Sequence, residues 1–216
     1  MLILGDSISI GYTPHVQQLL DGRAVVVRPM QNEGRSAENC EGTTLGVERI
    51  DDWLALDGGR WDVIHFNFGL HDLKRVHPET GENSDDPDDP RQAEPERYRE
   101  QLRQIVAAVG ATGARLVFAT TTPVPLGVSP CRTPEDAARY NAVALEVLEA
   151  SGFEVAIDDL YGFALPELAE LQQPADVHFT AAGSERLAEQ VAASILSALP
   201  AGRGAQGRPP KGAPAR

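Results

Sequence analysis

Short apolar runs alternate with longer stretches of helical periodicity along most of the 216-residue chain. Five runs predict strands, because each is nearly continuous in apolar residues, as strands buried on both faces are. The predicted strands are residues 2–4, 24–28, 62–68, 115–121 and 154–157, and the predicted helices are residues 14–20, 44–56, 96–109, 134–150 and 181–199. This alternation predicts an α/β fold in which helices cover both faces of a five-stranded parallel sheet.

The loops that follow two of the predicted strands are expected to meet in space. In parallel sheets of this kind, ligand sites lie at the carboxyl ends of the strands. Ser7 comes just after the first strand, and the segment from Gly69 to Asp72 comes just after the third. Both segments therefore belong to the same edge of the sheet, which is the expected place for a functional site.

A single domain accounts for residues 1–199, since 42% hydrophobic residues is enough for a sizeable core. The segment 200–216 is rich in Gly, Pro, Ala and basic residues, and we expect it to be disordered. Residues 77–95 are rich in acidic residues and prolines and predict a solvated acidic loop beside the site. A calcium loop is disfavoured there, because the ligand spacing is missing.

The net charge of −13 argues against a nucleic-acid or anionic-membrane partner. We expect no membrane span, because no apolar run approaches the roughly 18 residues that a spanning helix needs. The chain as given starts with a strand instead of a leader, which predicts a cytoplasmic protein, or a secreted one if a leader precedes it. Cys40 and Cys131 fit no metal-binding spacing and are expected to be free thiols rather than one disulfide.

Ser7 is the candidate nucleophile. A serine hydroxyl needs a neighbouring base and donors for an oxyanion, and a backbone N–H at the start of a helix is such a donor. Gly5 allows the tight turn that precedes it. By itself the pair Asp6-Ser7 is equally typical of an ordinary helix cap.

His178 is the candidate base among the five histidines. It lies on a loop just before the last predicted helix, which Thr180 can cap, and Asp176 is close enough in sequence to orient its ring. His65 lies inside a strand, which predicts a structural role in the core. His15 and His77 have the sequence environment of surface residues, and His71 lies on the loop after the third strand.

In order, Gly5-Asp6-Ser7, Gly34, Gly69-Leu-His-Asp72 and Asp176-Val-His178 resemble the four sequence blocks of the SGNH (GDSL-type) hydrolases. The resemblance covers nearly the whole chain up to about residue 199. It implies a flavodoxin-like three-layer α/β/α sandwich and ester hydrolysis by a Ser-His-Asp arrangement, without a metal or another cofactor. It also implies an oxyanion hole made of the Ser7 N–H, the Gly34 N–H and the side chain of the third block.

Two positions depart from the family pattern. His71 stands where Gly-x-Asn-Asp has asparagine, as in a variant subgroup with Gly-Leu-His-Asp, and a neutral imidazole can donate one N–H in the same place. Asn67 is an alternative donor, and Asp6 and Asp72 are candidate supporting residues. The family places its aspartate three residues before the histidine, whereas Asp176 lies two before it.

The spacing of Asp176 leaves alternatives open for the third member of the triad. A dyad in which a backbone carbonyl orients His178 is one alternative, and an approach by Asp158 or Asp159 is another. A metal site made of His65, His71 and Asp72 is also conceivable but disfavoured, because any of these side chains can point into the core.

We expect the substrate to be a short acyl ester, most simply an acetyl ester, on a carbohydrate or another small polar molecule. The chain shows no long apolar lid, and polar residues follow the third strand. The alternatives are a thioesterase or lysophospholipase-like acyl hydrolase, and a catalytically silent module of the same fold that binds a glycan.

Overall fold

The computed structural model describes residues 1–199, and its parallel sheet has four strands where the sequence predicts five. The predicted tail, 200–216, lies outside the described residues. The strands are β1 (Leu2–Leu4), β2 (Met30–Gln31), β3 (Ser36–Ala37), β4 (Val63–Phe66), β5 (Arg115–Ala119) and β6 (Val155–Asp158). The sheet order is β1-β4-β5-β6, while β2 and β3 form a separate antiparallel hairpin.

The helices fill the intervals between strands and cover both faces of the sheet. They are α1 (Ser7–Leu19), α2 (Thr43–Leu54), α3 (Pro95–Ala111), α4 (Pro134–Ala150), α5 (Leu160–Ala164), α6 (Leu168–Leu171) and α7 (Ala181–Ala198), with 3₁₀ turns at Leu56–Gly58 and Leu165–Glu167. Helices α1 and α7 pack together as one layer, and α3 packs against both α2 and α4 in the other. The three-layer α/β/α prediction is therefore confirmed.

The prediction of a strand at residues 24–28 was wrong. In this segment, one parallel bridge joins Val27 to Leu2 of β1. The Val27 carbonyl accepts from the Ile3 N–H at 2.9 Å, and its own N–H donates to the Met1 carbonyl at 3.0 Å. The ladder ends there because Pro29 has no N–H to donate. This bridge still places the segment beside β1, at the edge of the sheet where a fifth strand would lie.

Helix α1 begins at Ser7, seven residues earlier than the periodicity predicts. The side chain of Asp6 accepts a hydrogen bond from the Ile8 N–H at 2.9 Å and so caps the helix. Residues 8–13 contain serine, glycine and threonine, which are weak helix formers, and Pro14 lies inside the helix. Capping and packing against α7 therefore override the local propensity.

His65 has the structural role that its position in a strand predicts. Its Nε2 lies 3.0 Å from Oδ2 of Asp158, and both side chains are fully buried. The second oxygen of Asp158 accepts from Nε2 of Gln190 in α7 at 2.9 Å. This polar group ties β4 and β6 to α7 beneath the loop that carries His178.

Two expectations from composition can be compared with the described part of the chain. Within residues 1–199, no helix is both long and apolar enough to cross a membrane. Both cysteines are free thiols, as expected: Cys40 is buried and Cys131 is half-buried.

We predict that Gly183→Ala destabilises the fold, although alanine is the better helix former by about 1 kcal/mol. A Cβ at Gly183 would lie 2.1 Å from the Leu171 carbonyl oxygen, which is backbone and cannot move aside easily. We expect a loss of about 1–3 kcal/mol in the free energy of unfolding, measured by urea denaturation. The exposed neighbour Ala182 provides a control, since Ala182→Ser should change the free energy of unfolding by less than about 0.5 kcal/mol. An unchanged or higher midpoint for Gly183→Ala would contradict the prediction.

Candidate active site

Ser7 occupies the first position of α1, directly after β1 has ended. Asp6 is buried beneath it (2% exposed) and holds the turn by accepting from the Ile8 N–H. Burial raises the pKa of Asp6, and the charges of Arg132 and His178 act in the opposite direction. Among the hydrogen bonds of the described residues, none uses the Ser7 N–H, so this donor stays free at the positive end of the helix.

His178 contacts Ser7 across 171 positions of sequence. Its Nε2 lies 2.9 Å from the Ser7 Oγ, and its Nδ1 lies 2.7 Å from Oδ1 of Asp176. The same carboxylate oxygen accepts from the His178 backbone N–H at 3.0 Å. The three side chains are thus arranged as a base that is oriented on one side and faces a hydroxyl on the other.

The spacing of two residues between Asp176 and His178 is accommodated by a local turn. Ala175 adopts a positive φ of 53°, and the Asp176 carboxylate then folds back onto the His178 N–H. This backbone hydrogen bond is the main reason that the pKa of Asp176 is lowered. A carboxylate two residues before the histidine can therefore reach both its N–H and its ring.

The alternative carboxylates are engaged elsewhere. Asp158 is paired with His65 in the core, and Asp159 caps α5 by accepting from the Gly162 N–H at 3.0 Å. Of the three aspartates considered from the sequence, Asp176 is the one that contacts His178.

His71 lies largely buried on the loop after β4, and its pKa is lowered to about 3. Burial is the main cause, followed by the positive charges of Lys74 and Arg132. The ring is therefore neutral and carries one N–H. Its Nδ1 is buried without a partner among the described residues, so Nε2 is the nitrogen that is open to solvent or substrate.

Asp72, the next residue, fastens this loop to α2. Its fully buried carboxylate accepts from the Thr43 N–H at 2.8 Å and from the Thr43 hydroxyl at 2.5 Å. Burial raises the pKa of Asp72 to about 7, against the effect of these hydrogen bonds. Asp72 thus caps a helix from outside and places His71 beside the start of that helix.

The expected oxyanion donor Gly34 is not available in this structure. Its N–H donates to the Gln31 carbonyl at 3.1 Å inside the exposed β2–β3 hairpin. Gly34 has a φ of 84°, and the two residues before it also have positive φ values. The glycine therefore serves the turn of the hairpin, which corrects the assignment that the family pattern implied.

Another glycine, Gly42, lies at the start of α2, on the loop that contacts the turn before Ser7. The Cys40 N–H donates to the Gly5 carbonyl at 3.2 Å, which brings this loop against the turn that carries Ser7. A Cβ at Gly42 would lie 2.9 Å from the Asp72 carboxylate, so only glycine fits there. No hydrogen bond among residues 1–199 uses the Gly42 N–H. The sequence signal for Gly42 was its position as the cap of α2.

Asn67, the alternative donor, is committed to the scaffold. Its amide donates to the Ala119 carbonyl at 2.7 Å and to the Thr121 hydroxyl at 3.4 Å. These bonds use both amide hydrogens and join the end of β4 to the end of β5.

Sequence reasoning did not find Arg132, which is 8% exposed in the loop after β5. Its Nε donates to the Leu70 carbonyl at 2.9 Å and thereby holds the segment that presents His71. Burial lowers its pKa to about 10, and Asp6 and Asp176 partly offset this effect. We call the carboxyl edge of the sheet, which carries Ser7, the catalytic edge. The only sequence signal for Arg132 was its place in a loop at this edge.

The conceivable metal ligands His65, His71 and Asp72 are not brought together. His65 faces Asp158 in the core, and the Asp72 carboxylate is used by Thr43. In the described part of the chain, no group of three or more His, Cys, Asp or Glu residues is placed to hold a metal ion.

The model of the GDSL-like lipase/acylhydrolase family matches residues 3–186. Three solved structures are similar to the whole fold. A lipase/acylhydrolase from Enterococcus faecalis is 20% identical with a TM-score of 0.70, and the match covers 95% of this chain and 98% of that one. The acetyl xylan esterase AlAXEase is 12% identical with a TM-score of 0.66, over 90% and 98% of the two chains. A carbohydrate esterase of family 3 from Talaromyces cellulolyticus is 13% identical with a TM-score of 0.62, over 91% and 95%. No curated protein sequence matches the chain.

We predict that His71→Asn changes how stability depends on pH. Between about pH 6.5 and pH 3, the unfolded chain binds a proton at His71 that the folded protein does not bind. The free energy of unfolding therefore falls as the pH falls through this window, by up to about 1.4 kcal/mol per pH unit from this group. Urea denaturation at pH 7, 6, 5 and 4 should show the variant gaining stability relative to the unsubstituted protein. A constant difference across these pH values would contradict the lowered pKa of His71.

Proposed function

The chain belongs to the GDSL-like lipase/acylhydrolase family, whose model matches residues 3–186, and is a carboxylic ester hydrolase; within that class we propose that Ser7 is the nucleophile, His178 the base and Asp176 its partner. The observation that carries this proposal is the continuous contact from the Ser7 Oγ through His178 to Asp176, at 2.9 Å and 2.7 Å. Such a chain of contacts is what activates a serine hydroxyl.

In the first step, Nε2 of His178 accepts the hydroxyl proton of Ser7 while the Oγ bonds to the ester carbonyl carbon. The carbonyl π electrons move to oxygen, which gives a tetrahedral oxyanion. Asp176 accepts the Nδ1–H of the resulting imidazolium and keeps the ring in the productive tautomer. His178 then donates its proton to the alcohol oxygen as the carbon–oxygen bond breaks, and the acyl group stays on Ser7.

In the second step, a water molecule replaces the alcohol. His178 takes a proton from this water as its oxygen attacks the acyl carbon, and later returns that proton to the Ser7 Oγ. The carboxylic acid leaves and the free serine is restored. The same base thus serves both halves of the reaction.

We assign the oxyanion hole to the N–H groups of Ser7 and Gly42 and to the side chain of His71. All three donors are free in the described residues, and the loops that carry them are joined by the Cys40–Gly5 and Asp72–Thr43 hydrogen bonds. A neutral ring suits this role, because it donates one N–H and keeps it over the whole working pH range. One such donor contributes about 2.7–4 kcal/mol to transition-state stabilisation.

The acyl group that we propose is short, most simply acetyl, on a carbohydrate or another small polar alcohol. The sequence shows no long apolar lid, and polar residues follow the third predicted strand. Two similar structures are an acetyl xylan esterase and a carbohydrate esterase, which favours the same class of substrate.

We predict that Ser7→Ala abolishes ester hydrolysis and labelling by a fluorophosphonate while the thermal midpoint stays within a few degrees. The hydroxyl is the group that forms the acyl-enzyme, and its removal leaves the capping bond of Asp6 intact. Hydrolysis of p-nitrophenyl acetate and mass spectrometry of the labelled protein measure both effects. Ser197→Ala, on the last turns of α7, is the matched control and should keep both activities. Failure of the unsubstituted protein to react would favour a silent glycan-binding module instead.

We predict that His71→Ala lowers kcat about 100- to 1,000-fold, as the loss of one oxyanion donor does. His71→Asn keeps an N–H donor in the same place, so its kcat should be at least about a tenth of that of the unsubstituted protein. Both are measured as kcat on p-nitrophenyl acetate under saturating conditions. A loss below a few-fold in His71→Ala would reduce His71 to a scaffolding role.

We predict that kcat/KM falls steeply with acyl length in a series of p-nitrophenyl esters from acetate to decanoate. The reason is the proposed acetyl group, because a site that fits two carbons excludes longer acyl chains. A maximum at eight carbons or more would favour the thioesterase or lysophospholipase-like alternative.

A further inference from the structure

A cationic side chain, Arg132, holds the loop that carries His71, and a second cation, Lys74, belongs to the same loop. Arg132 is 8% exposed, and its guanidinium donates to the carbonyls of Leu70 at 2.9 Å and Pro130 at 3.1 Å. Lys74 is half-buried and follows His71 by three positions. Both charges lower the pKa of His71, which places them within electrostatic range of its ring.

Neither cation is neutralised by a contact. In the described residues, no carboxylate lies within ion-pair distance of Arg132 or Lys74, and the two bonds of Arg132 go to neutral carbonyls. The contrast with Arg91 is clear, since that guanidinium pairs with Asp136 at 2.7 Å.

The two carboxylates that act on Arg132 already have other partners. Asp6 caps α1 and Asp176 holds His178, so neither can move to Arg132 without disturbing the triad. Glu41 is the acidic residue that acts most strongly on Lys74, and it is exposed. A buried cation without a partner is costly, and the cost is recovered when an anion binds to it.

The remaining donors of Arg132 point to the kind of anion. Its Nη2 makes no hydrogen bond to the part of the chain that the structure describes, and it is not among the polar atoms that are buried without a partner. It is therefore open to solvent, on a side chain whose Nε holds the Leu70 carbonyl directly before His71. A guanidinium with free N–H groups binds a carboxylate through paired hydrogen bonds, and a neighbouring ammonium adds a second charge.

The proposed acyl group restricts where the anionic group lies in the substrate, because an acetyl group carries no charge. The carboxylate therefore belongs to the alcohol half of the ester. The net charge of −13 repels polymers with a high density of negative charge more strongly than it repels a molecule with one carboxylate. It therefore favours a substrate with an isolated carboxylate.

We propose that Arg132 and Lys74 bind a carboxylate on the sugar of an acetyl ester, so that the enzyme prefers acetylated acidic sugars to neutral ones. This inference rests on the proposed function, because it assigns a substrate class to the same nucleophile. Arg132 then has two roles: its Nε donates to the Leu70 carbonyl, and its free Nη2 donates to the substrate carboxylate.

The test compares two substrates that differ in one group. Acetate release is measured from a mono-acetylated methyl glucuronoside, which carries a carboxylate, and from the matching mono-acetylated methyl glucoside, which is neutral. The measured quantity is the ratio of their kcat/KM values. We expect a ratio of about 10 or more at low ionic strength, decreasing as added salt screens the charges.

Variants separate recognition of the carboxylate from support of the fold. Arg132→Met should lower the ratio about 10- to 100-fold, as loss of a charged hydrogen-bond partner does, and Lys74→Met should lower it about 10-fold. Lys74 makes no side-chain hydrogen bond in the described residues, so its replacement tests the charge without disturbing the loop. Arg139→Met, an exposed arginine on α4, is the matched control and should keep the ratio.

The outcomes are distinct. A ratio near one in the unsubstituted protein would overturn the proposal. Variants in which kcat/KM falls equally for both substrates would also overturn it, because a purely structural role for Arg132 affects the hydrolysis of both substrates equally. If p-nitrophenyl acetate is hydrolysed and neither sugar ester is, the substrate class is wrong while the esterase assignment stands. If Ser7 also fails to react with a fluorophosphonate, the proposed function itself fails and this inference fails with it.

Discussion

The buried carboxylate of Asp6 fixes the point at which the first strand becomes the first helix, and the catalytic edge is built around that point. Because the cap forces α1 to begin at once, Ser7 is held at the end of a short connection between two rigid elements. The neighbouring loops then attach to the same turn. The Cys40 N–H and the guanidinium of Arg28 both donate to the Gly5 carbonyl, at 3.2 Å and 3.4 Å. The position of Ser7, the proposed nucleophile, therefore depends on one short, well-anchored segment.

Much of this arrangement could be predicted from the sequence, because it is encoded locally. A strand that ends at Gly5, a serine that follows it and a histidine before a capped helix are all readable from neighbouring residues. The errors arose where a distant contact decides. Pro29 and the buried side chain of Arg28 turn the chain out of the sheet, so the fifth strand shrinks to one bridge. Likewise, no local pattern shows that the Gly34 N–H is used inside the hairpin while the loop of Cys40 contacts the Gly5 carbonyl.

His71 illustrates how the surroundings of a side chain decide what it can do. An imidazole near a base and two cations could in principle titrate, and its donor would then change with pH. Burial and positive neighbours prevent this, since they lower its pKa to about 3. The hydrogen bonds of Asp72 to Thr43 hold the loop at the start of α2. A titratable residue is thereby made to behave like a fixed amide.

The contact between Ser7 and His178 joins the first helix to the last, across 171 positions. His178 and Asp176 form their own turn, so the base and its partner in the proposed triad are local, whereas the proposed nucleophile comes from the other end of the chain. On this assignment, a ribosome-bound chain has no triad until residues 176–178 have been synthesised and α7 has packed against α1. Esterase activity then requires that packing, and a partly folded chain without it is unable to cleave esters.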